Sequence, residues 1–321
     1  MYINHITRLI SPALTPLSVM SEKYRWGKRN DKIFSRFHNF VSASLFPETA
    51  LLVLIENLFS QLRQECNPAL FEKVDFIVWA HSLHAVLPFD INRVLQNQFS
   101  RIFNNPNIEC FSVTQGSCAS GILTLKYIQN KLANQKWRSG LMITGEKCFH
   151  QTVQFVDQNG YFGEGLSATL IGVTPAASAL KIKAIRLTQL GAFGKRMRET
   201  TRDHENHYDR EFLPTMQKTI ELTLSDAGCR GSELSILLPY HISPVTFDRL
   251  ADRTGFSRDI IYKKNMYTLG HCFCSDAFIN LHDLVLQSGA ELKGKSILSL
   301  ASGVAGTFAA MIIESEAGVK E

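Results

Sequence analysis

The chain has 321 residues, of which 45% are hydrophobic and 20% are charged, and its formal net charge is +5. This length allows a large core or two fused half-domains. The small positive charge suits an acidic partner or an anionic cofactor, but it is too weak to indicate a nucleic-acid partner. The seven cysteines form no even, regular framework, which favours reduced thiols in a cytoplasmic protein. The sequence shows neither a signal-peptide pattern nor an apolar run long enough to span a membrane.

The first half of the chain alternates between buried-strand patterns and helical spacing. We expect strands at 3–14, 74–80, 110–113, 140–145 and 166–173. We expect helices at about 51–62 and 90–103, the second with Asp90 as its N-cap. The polar and basic segment 21–34 is predicted to be a loop or lid.

After a break at 174–178 the same order of elements recurs. Strands are predicted at 180–189, 234–240, 296–301 and 307–314, and helices at 212–227, 244–254 and from His271 to about 286. The densely charged segment 194–211 is predicted to be a solvent-exposed excursion. Strands that alternate with helices indicate an α/β fold with largely buried sheets. The recurring order predicts two duplicated halves, 1–175 and 176–321.

The segment 109–132 contains the most informative pattern in the chain. A short apolar strand is followed by the small residues Gln115-Gly116-Ser117, by Cys118, and then by helical spacing. Cys118 is therefore expected where a strand ends and a helix begins. Free N–H groups and the positive dipole end of a helix favour a thiolate there, so Cys118 is a candidate nucleophile. On spacing alone, a buried structural cysteine is the alternative.

Four motifs, in order, resemble the β-ketoacyl-ACP synthase III type of the thiolase superfamily. They are SVTQGSCASG around Cys118, YFGEGLSATLIG at 161–172, LLPYHISPVTFDRLADRTGF from 237, and SGVAGTFAA from 302. The resemblance implies an α/β thiolase-like fold with two duplicated halves in five α-β-α-β-α layers. The first half would carry the nucleophile, and the second half would carry the catalytic histidines.

The resemblance also implies roles for individual residues. Cys118, His241 and His271 would be catalytic, because His271 stands where the family usually has an asparagine. The backbone N–H groups of Cys118 and Ala305 would form the oxyanion hole, although Ala305 replaces a glycine of the family pattern. Leu87 falls where the family often places an aromatic residue that reaches across a dimer into the partner's acyl pocket.

The implied activity is acyl transfer through Cys118 from a thioester, followed by decarboxylative condensation with a malonyl-type thioester. Two neutral histidines would each donate an N–H to the enolate oxygen. The implied partners are acyl carrier protein or coenzyme A thioesters and a second subunit, in a homodimer or a heterodimer. No cofactor, metal, nucleic acid or membrane is implied. The nucleotide-contacting motif of the family is not recognisable, which favours specialised metabolite biosynthesis over housekeeping fatty-acid initiation.

Several alternatives stay open at this point. Acylated Cys118 could pass its group to an alcohol or amine without decarboxylation, or the chain could be a partner subunit of a heterodimeric synthase. The basic run 195–198 could be a solvated face or a docking site for an acidic carrier. The cysteines of His271-Cys272-Phe273-Cys274 are too closely spaced for a usual zinc site.

Overall fold

A computed structural model describes most of the chain: residues 1–70, 74–83, 90–104, 108–134, 136–148, 155–156, 158–191, 202–304 and 306–315. The strands of this part are β1 (Tyr2–Ile10), β2 (Thr15–Pro16), β3 (Ser42–Ala43), β4 (Phe76–Ala80), β5 (Glu109–Val113), β6 (Ser139–Glu146), β7 (Phe155–Val156), β8 (Gly160–Tyr161), β9 (Gly165–Gly172), β10 (Leu180–Gln189), β11 (Leu234–Leu238), β12 (Ser296–Gly303) and β13 (Thr307–Ser315). The α-helices are α1 (Leu17–Tyr24), α2 (Gly27–Lys32), α3 (Leu51–Glu65), α4 (Ile91–Phe103), α5 (Ser120–Ala133), α6 (Arg202–Ala227), α7 (Pro244–Thr254), α8 (Lys264–Thr268) and α9 (Asp276–Ser288).

Nine strands form one hydrogen-bonded sheet in the order β11-β12-β13-β10-β1-β9-β6-β4-β5. Strands β4, β5 and β6 are parallel, and β9 and β1 follow as antiparallel strands. The second half repeats this pattern, because β11 and β12 are parallel and β13 and β10 are antiparallel. The two halves meet where β1 pairs with β10. The division at 175/176 falls between β9 and β10 and stays a prediction.

Two helices, α5 and α9, lie between the two halves of the sheet and form the central layer. Helix α5 packs against β4, β10 and β13, whereas α9 packs against β1, β9, β11 and β12. Their apolar residues, including Ile122, Leu125, Phe278 and Leu281, share one buried cluster with residues from both halves. Helices α3 and α4 cover the outer face of the first half, and α6 and α7 cover that of the second half. The predicted α/β thiolase-like fold in five layers is confirmed.

The predicted loop or lid at 21–34 is helical, and the helix predicted from 212 begins earlier, which corrects the sequence analysis. Segment 21–34 contributes to α1, α2 and the π-helix Ile33–Phe37. Tertiary packing explains the difference, since Trp26 and Phe34 are buried and their rings pack against Tyr161. Helix α6 begins at Arg202, so the part of 194–211 that the structure describes belongs to a helix. No helix in the described part of the chain is long and apolar enough to cross a membrane.

Candidate active site

Cys118 lies at the elbow that the sequence predicted. Strand β5 ends at Val113, the 3₁₀ turn Ser117–Ala119 follows, and α5 begins at Ser120. The turn is sharp because Ser117 adopts a positive φ of 47°. Gly303 packs against this turn so closely that a Cβ there would lie 2.2 Å from the Gly116 carbonyl oxygen. The end of β12 therefore holds the elbow in place, and Cys118 is 8% exposed at the floor of a cavity.

His271 is the histidine that interacts with Cys118. The His271 ring lies within electrostatic range of the Cys118 sulfur, while its Nδ1 bonds to the carboxylate of Asp276. Because Nδ1 is used by Asp276, the nitrogen that faces Cys118 is Nε2. The His271 backbone is fixed against the 161–165 turn, since its N–H donates to the Tyr161 carbonyl and its carbonyl accepts from Gly163. The result is a connected Cys118–His271–Asp276 set.

Charges around His271 stabilise its protonated form. Burial disfavours the imidazolium, but the charges of Asp276 and Cys118 and the hydrogen bond to Asp276 outweigh burial and raise the pKa of His271 to about 10. For Asp276, burial favours the neutral acid, yet His241 and His271 hold the pKa of this carboxyl below its usual range. At neutral pH the geometry thus supports a buried carboxylate next to an imidazolium that faces the thiol.

His241 lies in the same network but points away from the thiol. Its Nδ1 is 2.8 Å from the Gly270 carbonyl oxygen and 3.1 Å from an Asp276 oxygen. Its Nε2 is 2.8 Å from Asn280 Oδ1, and the Asn280 amide nitrogen donates to the Pro239 carbonyl. Both ring nitrogens therefore face acceptors. The catalytic role of His241 stays a prediction, and these contacts favour a role in positioning Asp276.

A group of hydroxyls also lines the cavity, and the sequence analysis did not single it out. The cavity has a volume of about 360 Å³ and is lined by Cys118, His271, Tyr208, Tyr240 and Ser302, among others. Tyr208 Oη lies 3.5 Å from Ser302 Oγ. Tyr240 packs edge-on against Phe247, and its ring centroid is 6.0 Å from that of His271. Its position next to His241 in the chain is the signal that could have found it.

Asp276 was also missed by the sequence analysis. It lies five residues after His271 and begins α9, where an acidic side chain in the first helical turn is a common capping feature. The carboxylate accepts from the backbone N–H groups of His241 and Cys272 as well as from His271. One residue therefore ties both histidine segments to the central layer.

Two predicted site residues, Leu87 and Ala305, lie outside the described residues. Within the described part, ligand atoms of His241, Cys272 and Asp276 lie within 4.8 Å of one another. The histidine nitrogen and the carboxylate oxygens of this trio already take part in the hydrogen bonds above. These contacts account for the cluster as a hydrogen-bonded network.

No protein-family model and no curated protein matches the chain. Solved structures do match over nearly the full length. ChlB3, described as an acyltransferase, has 15% identity and a TM-score of 0.80, with 99% of this chain and 98% of that chain covered. The 3-oxoacyl-[acyl-carrier-protein] synthase III of Aquifex aeolicus has 17% identity and a TM-score of 0.78, with coverages of 98% and 99%. AbyA1, a tetronic acid condensing enzyme, has 14% identity and a TM-score of 0.74, with coverages of 98% and 100%.

The chain therefore has the same fold as these enzymes. This fold brings the Cys118 elbow of the first half against the end of β12 and the start of α9 in the second half. Both halves of the ketosynthase III-like fold therefore contribute to the cavity, whose chemistry follows from the side chains described above.

Proposed function

We propose that this chain is a ketosynthase III-like acyltransferase that forms an acyl-Cys118 intermediate and condenses it with a malonyl-type thioester. The observation that carries the proposal is the buried Cys118–His271–Asp276 set at the floor of the cavity. A cysteine activated by a histidine, which a carboxylate orients in turn, is the arrangement expected of a thiol nucleophile. This intact set also argues against a non-catalytic partner subunit.

In the first step the Cys118 thiolate attacks the carbonyl carbon of an acyl thioester. The tetrahedral intermediate collapses as the C–S bond to the donor breaks, and the departing thiolate takes the proton of the His271 imidazolium. Asp276 keeps His271 oriented throughout. The oxyanion is held by the backbone N–H groups of Cys118 and Ala305, as the resemblance implies.

In the second step a malonyl-type thioester loses carbon dioxide, and the resulting enolate attacks the acyl carbonyl carbon. The new C–C bond forms, the acyl C–S bond breaks, and Cys118 leaves as a thiolate. The negative enolate oxygen needs hydrogen-bond donors during this step. After the donor thiol has left, His271 takes up a proton from solvent, and its Nε2, which faces the cavity next to Cys118, is then one such donor.

A second candidate is transfer to an alcohol or amine without decarboxylation. It is favoured by Asp276, which makes His271 suitable as a base, and by the two occupied ring nitrogens of His241. Acylation removes the thiolate charge that helps to raise the His271 pKa, so a larger fraction of His271 is neutral and can accept a proton from the acceptor. The acceptor oxygen or nitrogen attacks the acyl carbon, and Cys118 leaves as a thiolate.

The donors are acyl carrier protein or coenzyme A thioesters, and the chain works as a dimer through β5. Strand β5 pairs with β4 on one side, and no described strand pairs with its other side. Phe111 on this edge is only half-buried beside Trp137 and the exposed Tyr127, and such edges are usually covered. Light scattering at micromolar concentration should give a dimer, whereas a monomer contradicts this assembly.

Intact-mass spectrometry tests the acylation step. The wild-type chain is incubated with a panel of acyl-carrier and acyl-coenzyme A thioesters, and one donor should add a single acyl mass. Cys118→Ala should add none while remaining folded. Cys229→Ala, at a half-buried cysteine outside the cavity, is the matched control and should acylate normally.

The second step is tested on the acylated protein. Carbon dioxide release from malonyl thioesters supports condensation. Loss of the acyl mass to added alcohols or amines, without carbon dioxide release from any malonyl donor, replaces condensation by the second candidate. Persistent acylation of Cys118→Ala overturns the nucleophile assignment itself.

A further inference from the structure

The hydroxyl of Tyr240 is buried beside the cavity without a well-formed partner. Tyr240 is 4% exposed, and its Oη lies near Ser302 and within electrostatic reach of Cys118 and Asp276. No residue that the structure describes makes a hydrogen bond of acceptable geometry to this oxygen. Burying a hydroxyl without a hydrogen-bond partner destabilises the fold. A sequence can tolerate that cost where the group binds a substrate.

The residue that follows Tyr240 cannot donate to the same substrate atom. Both ring nitrogens of His241 contact acceptors in the interior, at 2.8 Å from Gly270 O and 2.8 Å from Asn280 Oδ1. His241 lies in a tight turn that follows β11, where the Ile242 N–H donates to the Tyr240 carbonyl oxygen. His241 also borders the cavity, but its ring nitrogens contact Gly270 and Asn280, whereas the Tyr240 hydroxyl has no such partner among the residues that the structure describes.

The Tyr240 ring is held firmly enough to aim its hydroxyl. It packs edge-on against Phe247 of α7 at a centroid distance of 5.2 Å and an interplanar angle of 85°. The centroids of the Tyr240 and His271 rings are 6.0 Å apart. Burial raises the pKa of Tyr240 well above its ordinary value. The group thus stays an O–H donor throughout the pH range in which enzymes work.

We infer that the Tyr240 hydroxyl and His271 Nε2 form a two-donor site for the carbonyl oxygen of the second thioester. The inference rests on the proposed function, because that oxygen becomes the enolate oxygen in the condensation step. Tyr240 would supply the donor that the sequence analysis assigned to His241. Removal of one donor from such a site typically lowers the rate by about 10²–10³-fold.

The central variant is Tyr240→Phe, which removes only the hydroxyl. Since this group has no well-formed partner in the fold, the melting temperature should not fall. Acylation of Cys118 should continue, because its oxyanion hole is backbone. Carbon dioxide release from the malonyl thioester that the wild type uses should fall by about 10²-fold. Tyr262→Phe is the matched control, since its hydroxyl accepts from Gln287 outside the cavity.

Binding of a ketone gives a readout that needs no turnover. Acetyl-carba(dethia)-coenzyme A keeps the carbonyl but has a CH₂ in place of the thioester sulfur, so it cannot acylate Cys118. Tyr240→Phe should weaken its binding by about 3–10-fold relative to wild type, as expected for one lost hydrogen bond. Tyr262→Phe should bind it as the wild type does.

The outcomes separate the inference from the proposed function. If the wild type releases no carbon dioxide from any malonyl thioester, the proposed condensation is wrong. The ratio of the ketone affinities of wild type and Tyr240→Phe then decides the role of Tyr240 by itself. Equal ketone affinity in Tyr240→Phe and Tyr262→Phe overturns the two-donor site. Decarboxylation by Tyr240→Phe at the wild-type rate also overturns the two-donor site. Failure of the wild-type chain to bind the ketone does the same.

Discussion

The Gly270–His271 segment and the Tyr240–His241 segment share one carboxylate but face different surroundings. His271 uses Nδ1 to bind Asp276 and directs its other nitrogen toward Cys118. His241 receives support from the same carboxylate, yet its second nitrogen faces Asn280. Both side chains are buried to a similar degree. The difference shows that the acceptor on the far side of the ring, and not burial or residue type, decides which histidine can act on a substrate.

The largest expected effect comes from His271→Ala. Without His271, no imidazolium stabilises the Cys118 thiolate, and no acid protonates the departing thiolate of the donor. The rate of single-turnover acylation should therefore fall by about 10³-fold. Intact-mass time courses with the best donor of the panel measure this rate. Cys118 that acylates at the wild-type rate in this variant contradicts the pairing.

His271→Asn is the informative comparison for the same position. Asparagine keeps an N–H donor but cannot transfer a proton. Malonyl-thioester decarboxylation should therefore partly survive in the Asn variant and fall by about 10²-fold or more in the Ala variant. Equal losses in both variants would show that His271 acts only as a base.

His241→Ala should affect stability more than chemistry. Removing the His241 ring takes one polar partner from the buried Asp276 and leaves the Asn280 oxygen with one donor fewer. We expect the free energy of unfolding to fall by about 3 kcal/mol, as measured by urea denaturation. The folded fraction should still acylate Cys118 within about 10-fold of the wild-type rate.

The outcome that contradicts this expectation is specific. A fully stable His241→Ala variant that acylates but no longer decarboxylates would restore the direct catalytic role that the resemblance implied. His241→Gln provides the control, because its amide retains one donor and should recover part of the lost stability.

The sequence predicted the Cys118 elbow well because that information is local. An apolar strand, small turn residues and helical spacing lie within one continuous segment, and the structure places Cys118 between β5 and α5. The His271 position was also found, through the motif order. Its partner Asp276 was not, because an acidic residue at a helix start is common and only the tertiary fold brings two histidines to it.

The failures in the fold have the same origin. Segment 21–34 is rich in charges, so its local composition indicated a loop, but Trp26 and Phe34 become buried against Tyr161, which is distant in sequence. The direction of the His241 ring depends on Asn280, 39 residues away. Neither contact leaves a periodic pattern in the chain, and therefore neither could be predicted from spacing.

Asp276→Asn tests whether one carboxylate supports both histidine segments. The amide keeps the size of the side chain but removes the negative charge, so both histidines lose electrostatic support. Acylation should slow by about 10²-fold, because His271 loses the carboxylate that orients it as the acid. The rate of Cys118 alkylation by iodoacetamide should also fall. An unchanged rate would separate Asp276 from the thiol.

The last expected effect is a pH dependence of stability to which His271 contributes. Its pKa is about 10 in the folded chain against an ordinary value of 6.5. A raised pKa means that the folded state holds the proton more tightly, so the stabilisation is complete below about pH 6.5 and is lost as the pH rises toward 10. The free energy of unfolding should therefore decline across this interval.

Glu146 contributes in a lower interval and has to be separated. Burial outweighs its hydrogen bonds to Ser82 and Leu83 and raises its pKa from 4.5 to about 7. Ionisation of this carboxyl thus lowers stability as the pH rises from about 4.5 to 7, mostly before His271 begins to lose its proton. Urea unfolding of wild type and His271→Asn should give parallel curves below about pH 6.5 that converge or cross toward pH 10. Curves that stay parallel up to pH 10 would mean that His271 holds no extra proton in the folded chain. That result would contradict a protonated His271 facing Cys118. The difference in ring direction between His271 and His241 would not be affected.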